Sequence, residues 1–197
     1  MKTALAALLL AATLSSVGVA DAQMLPRMRG MVAGLNGDVL SVKTPDGKNM
    51  EFQLDEKTTI VYTQPIELSE IKPGDFLGVT SSKRSDGTLS AFEIRRFQKP
   101  TNPGHREKYE GRDDQTMTNA NVSATVQSAN ARELTLTYEG GSQKVIVAPN
   151  ALVSTLVPGE RSQIVPNAPI ALTPQKSDDG KLLARNIQVS KPGFVPK

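Results

Sequence analysis

The chain has 197 residues, no cysteine, no tryptophan, one histidine and a formal net charge of +3. The lack of cysteine excludes a disulfide framework, thiolate metal sites, a thiol nucleophile and a lipidated N-terminal cysteine. Residues 23–97 carry ten basic and ten acidic side chains, whereas 121–197 carry eight and five, and no basic run stands out that would grip a phosphate backbone.

Lys2, an apolar run over 4–19 and the small-x-small step Ala20-Asp21-Ala22 are the parts of a secretory signal cleaved after Ala22. The run is shorter than the ~20 residues of a membrane span, and Ser15, Ser16 and Gly18 soften it. The expectation is an exported, periplasmic chain with no transmembrane segment in its mature part.

Strands follow. A first is expected near 29–35. The stretch 39–44 alternates apolar and polar, breaks at Pro45-Asp46-Gly47 and resumes over 49–54. The segment Glu67-Leu68-Ser69-Glu70-Ile71 reads as one helical turn. Two more strands, 76–81 and 89–97, flank the turn Ser85-Asp86-Gly87. Residues 98–118, with Lys99-Pro100, Asn102-Pro103-Gly104 and a charged run from Arg106 to Asp114, read as an exposed linker. Beyond it, strands are expected over 121–129, 133–138, 143–148, 170–176 and 182–189, with a Gly140-Gly141 turn.

The strongest signal is an internal repeat. Residues 71–94 align without a gap on 164–187, placing Pro73 on Pro166, Val79 on Leu172, Asp86-Gly87 on Asp179-Gly180, Ala91 on Ala184 and Ile94 on Ile187. Earlier in each copy the offset grows by one residue, placing Val32 on Val126, Leu40 on Leu134, Val42 on Leu136 and Gly47 on Gly141. Five or so hairpin-joined strands without an amphipathic helix favour closure into a small barrel. The expected fold class is therefore all-β, two tandem small OB-like β-barrel modules after a cleaved signal peptide. The expected division is a signal peptide over 1–22, a first module over 23–97, a linker over 98–118 and a second module over 119–197. A two-sheet sandwich is the alternative architecture.

Gly30-Met31-Val32, Leu40-Ser41-Val42, Lys72-Pro73-Gly74-Asp75 and Asp86-Gly87-Thr88-Leu89-Ser90-Ala91 together resemble a bacterial periplasmic domain-of-unknown-function family with OB-like barrel modules, in its tandem two-module form. Asn167-Ala168 departs from the pattern where Gly-Asp is expected. The resemblance implies a fold and carries no chemistry, because its motifs are turn and core positions. Some relatives carry the label of metal-transporter permease. A chain with no membrane span contradicts a permease role and leaves room for a soluble accessory to metal handling.

Candidate chemistry is sparse. The only histidine, His105, falls in the linker, so any hydroxyl–imidazole–carboxylate catalysis must pass through it. No nucleophile elbow, phosphate-binding glycine loop or zinc-helix motif is present. Asp113-Asp114 and Asp178-Asp179 lie in loop or turn contexts. The expectation is a non-enzyme without a cofactor. Met24, Met28 and Met31 are candidate soft ligands for Cu(I), with apolar filling as the ordinary use of methionine. Glu107, Glu110, Asp113 and Asp114 lack the spacing of a calcium loop. Phe52, Phe76, Phe92 and Tyr138 fit core or edge positions rather than a stacking platform, which argues against nucleic acid.

What remains is a non-catalytic periplasmic binding or scaffolding protein whose partner is an envelope protein, a peptide or a glycan. Arg132, Lys144, Arg161, Lys176, Lys181 and Arg185 would favour an anionic component, with a merely soluble basic surface as their ordinary use. The alternative is a soluble periplasmic accessory to metal handling, through the methionine-containing N-terminal arm.

Overall fold

The structure is a computed structural model that describes residues 24–127 and 132–196. The signal-peptide expectation lies outside these residues. The described residues form twelve strands: β1 (Met28–Asn36), β2 (Val39–Lys43), β3 (Asn49–Gln53), β4 (Ile60–Pro65), β5 (Phe76–Lys83), β6 (Leu89–Phe97), β7 (Gly104–Arg106), β8 (Gln115–Gln127), β9 (Arg132–Tyr138), β10 (Gly141–Pro158), β11 (Pro169–Lys176) and β12 (Leu182–Ser190). No helix among the described residues is long and apolar enough to cross a membrane.

The strands close into rings. One runs β8-β9-β10-β6-β5 and back to β8, with β6 parallel to β10 and every other pair antiparallel. The other runs β1-β2-β3-β12-β11 and back to β1, with β12 parallel to β3. Its β3–β12 seam is a single pair, Leu183 opposite Gln53. Closure removes the unpaired edges that an open sheet would expose. Between the rings, β4 pairs with β12 on one side and β10 on the other.

Alternation sends one face of several strands inward, whereas β5 is buried on both faces over 76–81. In β2, Leu40 and Val42 are fully buried while Val39 and Lys43 face solvent. Each aliphatic side chain so buried contributes roughly 1.5–3 kcal/mol, and two clusters collect that contribution. The first joins Ile71, Leu77, Val79 and Ile94 to Val122, Leu134, Leu136 and Val145. The second joins Val32, Leu40, Val42 and Phe52 to Ile170, Leu172, Ile187 and Val189. Neither core follows the division into 23–97 and 119–197. Each barrel takes three strands from one half of the chain and two from the other, so the halves are interlaced.

Turn chemistry follows the expectation closely. Gly47, Gly87 and Gly180 all hold positive φ, and each turn is closed by the same backbone bonds, such as Gly47 N–H to Thr44 O and Gly180 N–H to Ser177 O. The departure at Asn167 is conformationally neutral. It sits at φ 64° where Gly74 sits at φ 95°, and asparagine tolerates the left-handed region. The short segment at 67–71 forms a 3₁₀ turn over Leu68–Glu70, and Arg161–Gln163 forms its counterpart. In both, the residue before the turn donates its N–H to a side chain three residues on, Glu67 to Glu70 and Glu160 to Gln163.

Two expectations need correction. Val32 corresponds to Val122, not Val126: each precedes a bulge, Val32 opposite Val42 and Val122 opposite Leu136. The β1–β2 hairpin closes at Asn36 opposite Val39, whereas β8–β9 runs on to Gln127 opposite Arg132. The offset changes inside that longer hairpin. The segment 98–118 is also more than an exposed linker. It supplies β7, which pairs with β8, and the first residues of β8, which pair with β5.

Candidate functional site

Where the two barrels and the linker meet lies a cleft of about 330 Å³. Its polar wall carries Arg27, Arg29, Arg95, Glu110, Thr63 and Gln188. Pro169, Ile170 and Val189, themselves buried, back the cleft, and the exposed Val195 stands at its side. Arg27 and Arg29 flank the start of β1, which lies beside β11 with Met28 opposite Leu172 and Arg29 opposite Ala171. Arg95 belongs to β6, beside Ser154 of β10. Guanidinium groups from two stretches far apart in sequence are thus brought to one place.

Their partners differ. Arg29 holds Glu110 by two bonds, Nη2 to Oε1 at 2.9 Å and Nη1 to Oε2 at 3.4 Å. That contact raises the Arg29 pKa and lowers that of Glu110. Arg95 Nη2 donates to Glu93 Oε1 at 2.8 Å, a pair in which Glu93 is almost wholly buried. Arg95 Nε is buried with no acceptor among the described residues. Among the described residues Arg27 reaches only a neutral group, donating from Nη2 to Gln188 Oε1 at 2.6 Å, and Gln188 in turn donates to Thr63 Oγ1 at 2.9 Å. Burial, then Arg29 and Arg95, push the Arg27 pKa down. Crowded like charges of this kind are relieved by an anion.

An equivalent cleft exists on the other barrel, lined by Asp75, Phe76, Arg96, Phe97, Asn121 and Thr155 among others. Matching strand registers put Phe97 there where Ser190 stands in the first cleft, and Phe76 where Pro169 stands. Phe76 and Phe97 contact each other with ring centroids 6.4 Å apart. Its Arg96 faces Asp75 at 3.9 Å. One cleft is therefore aromatic and the other is arginine-rich.

The three methionines are not arranged as a ligand set. Met28 packs against the second core, and Met31, three residues along the same strand, faces the other way. Met24 lies in an isolated bridge to Gln175, about half exposed. The linker acids are each committed to a cation: Glu107 to Lys83, Glu110 to Arg29, Asp113 to Lys108 and Asp114 to Arg112. Among the described residues, no three His, Asp or Glu side chains converge as a cation site. Asp178 is exposed in its turn, and Asp179 is a turn residue whose pKa is held at about 2 by Lys181 and Ser177.

His105 is packed rather than loose. Its Nδ1 lies 2.8 Å from Thr118 Oγ1, its Nε2 lies 3.2 Å from Glu107 Oε1, and its ring stacks on Tyr138. Hydroxyl, imidazole and carboxylate stand in the order of a catalytic triad. The accessible end is the wrong one: Thr118 is 0% exposed, while the Glu107 side chain is 69% exposed. A nucleophile must meet its substrate, and this hydroxyl is sealed from it.

Sequence reasoning looked for positive charge in the second half and missed the arginines that converge. Of the six basic residues singled out there, Lys144, Arg161, Lys181 and Arg185 pair with Glu133, Asp38, Asp179 and Asp55. Arg27, Arg29 and Arg95 lie in the half whose charges cancel. No protein-family model, curated protein or solved structure matches the chain.

Proposed function

We propose that this chain is a non-catalytic binding or scaffolding protein of the cell envelope, made of two OB-like barrel modules, that holds an anionic ligand or partner group in the arginine-lined cleft. The observation that carries the reading is the meeting of Arg27, Arg29 and Arg95 in one cleft walled by both barrels. Two closed five-stranded rings with the same pairing order are consistent with OB-like modules. The signal-like sequence pattern of 1–22 supports export, and the sealed Thr118 hydroxyl argues against hydrolysis through His105. A cleft of this volume lies at the lower end of the ~300–1,000 Å³ range of small-ligand sites, so it takes a small ligand or the tip of a larger one.

Thermal unfolding in the presence of citrate, inorganic phosphate, an acetylated dipeptide acid and an oligogalacturonate tests the reading. A ligand that binds only the folded state at a hundred times its Kd adds about 2.7 kcal/mol of stability. At least one of these anions should raise the Tm of the native protein by several degrees and leave an Arg27→Gln, Arg95→Gln double variant unmoved. Equal response of both proteins to all four would overturn the proposal.

A further inference from the structure

Resting on that reading, we infer that the cleft recognises a carboxylate carried on a short apolar group, and that Glu110 is its built-in competitor for Arg29. A peptide C-terminus and a free branched-chain acid share this chemistry.

The linker already shows the binding mode. Glu110 presents a chain-borne carboxylate to Arg29 in a two-point contact, the geometry in which a planar guanidinium fork matches a planar carboxylate. It does so from a tight turn. Tyr109 and Arg112 bond each other's backbone, Lys108 pairs with Asp113 beyond them, and Glu110 itself adopts φ 49°. Holding a non-glycine residue in that region costs free energy, and the ion pair with Arg29 offsets it.

The charge left over is small. Among the described residues, two carboxylates stand against three guanidinium groups, Glu110 on Arg29 and Glu93 on Arg95. Arg27 has no ion-pair partner among the described residues and uses a neutral amide instead. One uncompensated cation matches a monoanion better than a phosphate dianion. Beside it, Val195, which is about half exposed, and the half-buried Pro196 offer an apolar surface that a bare inorganic ion would leave unused. A carboxylate with a branched alkyl group next to it fills both halves of the cleft.

Calorimetric titration of the intact protein at pH 7 and low salt tests this with four probes: acetyl-alanyl-valine, its C-terminal amide, 3-methylbutanoate and inorganic phosphate. The dipeptide acid should bind, and its amide at least tenfold more weakly. Arg27→Gln should weaken the acid at least tenfold, whereas Arg84→Gln, on an exposed turn, should not change it. Glu110→Gln should tighten the acid severalfold, because Arg29 loses its internal partner. Circular dichroism of each variant checks that the fold is retained. A dipeptide at least tenfold tighter than 3-methylbutanoate marks a chain terminus as the source, and equal affinities mark a free acid. Equal binding of acid and amide, loss of affinity in Glu110→Gln, or no binding of either acid up to about 10 mM would each overturn the inference. Phosphate binding alone would overturn it and leave the anion-binding proposal standing, whereas silence of every anion would remove both.

Discussion

Thr63 on β4 lies directly opposite Leu156 on β10, and Leu156 holds in the second half of the chain the place that Thr63 holds in the first. The flanking pairs are reciprocal: Tyr62 faces Val157 and Gln64 faces Thr155. On one side Ile187 sits beside Ile60, and on the other Ile94 sits beside Val153. A local two-fold axis therefore passes through the Thr63–Leu156 pair. It relates two barrels, each of which has exchanged its last two strands with the other.

Interlacing has a mechanical consequence. Cutting the chain in its exposed stretch at Lys99-Pro100-Thr101, through an inserted protease site, should leave the two fragments associated. They should co-elute on size exclusion under native conditions and part only in denaturant. Fragments that separate and stay folded would show each half to be self-sufficient.

Leu136 belongs to one half of the chain and packs in a core that includes Leu77, Val79 and Ile94 of the other. Its truncation to alanine should cost about 2–5 kcal/mol, the usual range for deleting a buried leucine side chain. Urea denaturation of Leu136→Ala checks this, and a change under about 1 kcal/mol would mean that the shared core is not packed as described.

Asp55 and Arg185 join the halves in the other barrel through two bonds, Nη1 to Oδ1 at 2.5 Å and Nη2 to Oδ2 at 2.8 Å. Arg185 lowers the Asp55 pKa below the usual aspartate range. A lowered carboxylate pKa contributes stability that is present above the unfolded value and is lost as pH falls through the folded value. The native protein should therefore lose stability more steeply than Asp55→Asn below about pH 4. Parallel acid-denaturation curves for the two would contradict the pairing. Partial exposure of Asp55 keeps the difference modest.

Gly30 lines the arginine cleft where β1 crosses close to β2. A Cβ there would stand 2.6 Å from Lys43 O and from Val42 Cγ1, and Lys43 O is backbone that cannot swing aside. Gly30→Ala should destabilise the protein by about 1–3 kcal/mol and weaken anion binding together, because the strand that carries Arg29 must shift. Thermal melts and the calorimetric titration read the two effects. A fully stable Gly30→Ala with native affinity would show that the close approach is not needed.

Local features were legible in the sequence because they depend on neighbours in the chain. Asp46-Gly47 and Asp86-Gly87 specify their turns, and alternation exposes Leu40 and Val42 as inward residues. The exchange of strands was not legible. The residues of β5 and β6 bury the same positions whether their partners are β1 and β2 or β8 and β9, so an internal repeat is silent on which copy completes which barrel. The hairpin that follows Val122 hid a further shift, because Val126 offers an equally apolar match by letter. The cleft was invisible for a related reason. Arg27 and Arg29 sit among balanced charges, and only the placing of β1 against β11, with the linker folded back through Glu110, gathers them with Arg95. What distinguishes the two halves, Ser190 and Pro169 against Phe97 and Phe76, is what makes one cleft a polar site.

The arginine cleft is the proposed binding site. Amide and arginine Nε–H resonances followed by ¹H–¹⁵N spectroscopy during titration with citrate and with acetyl-alanyl-valine test it most directly. Saturable shifts should gather at Arg27, Arg95, Gln188 and Val189, fit one Kd and vanish in Arg27→Gln. Shifts scattered over exposed lysines without saturation, or confined to the aromatic cleft around Phe76 and Phe97, would contradict it.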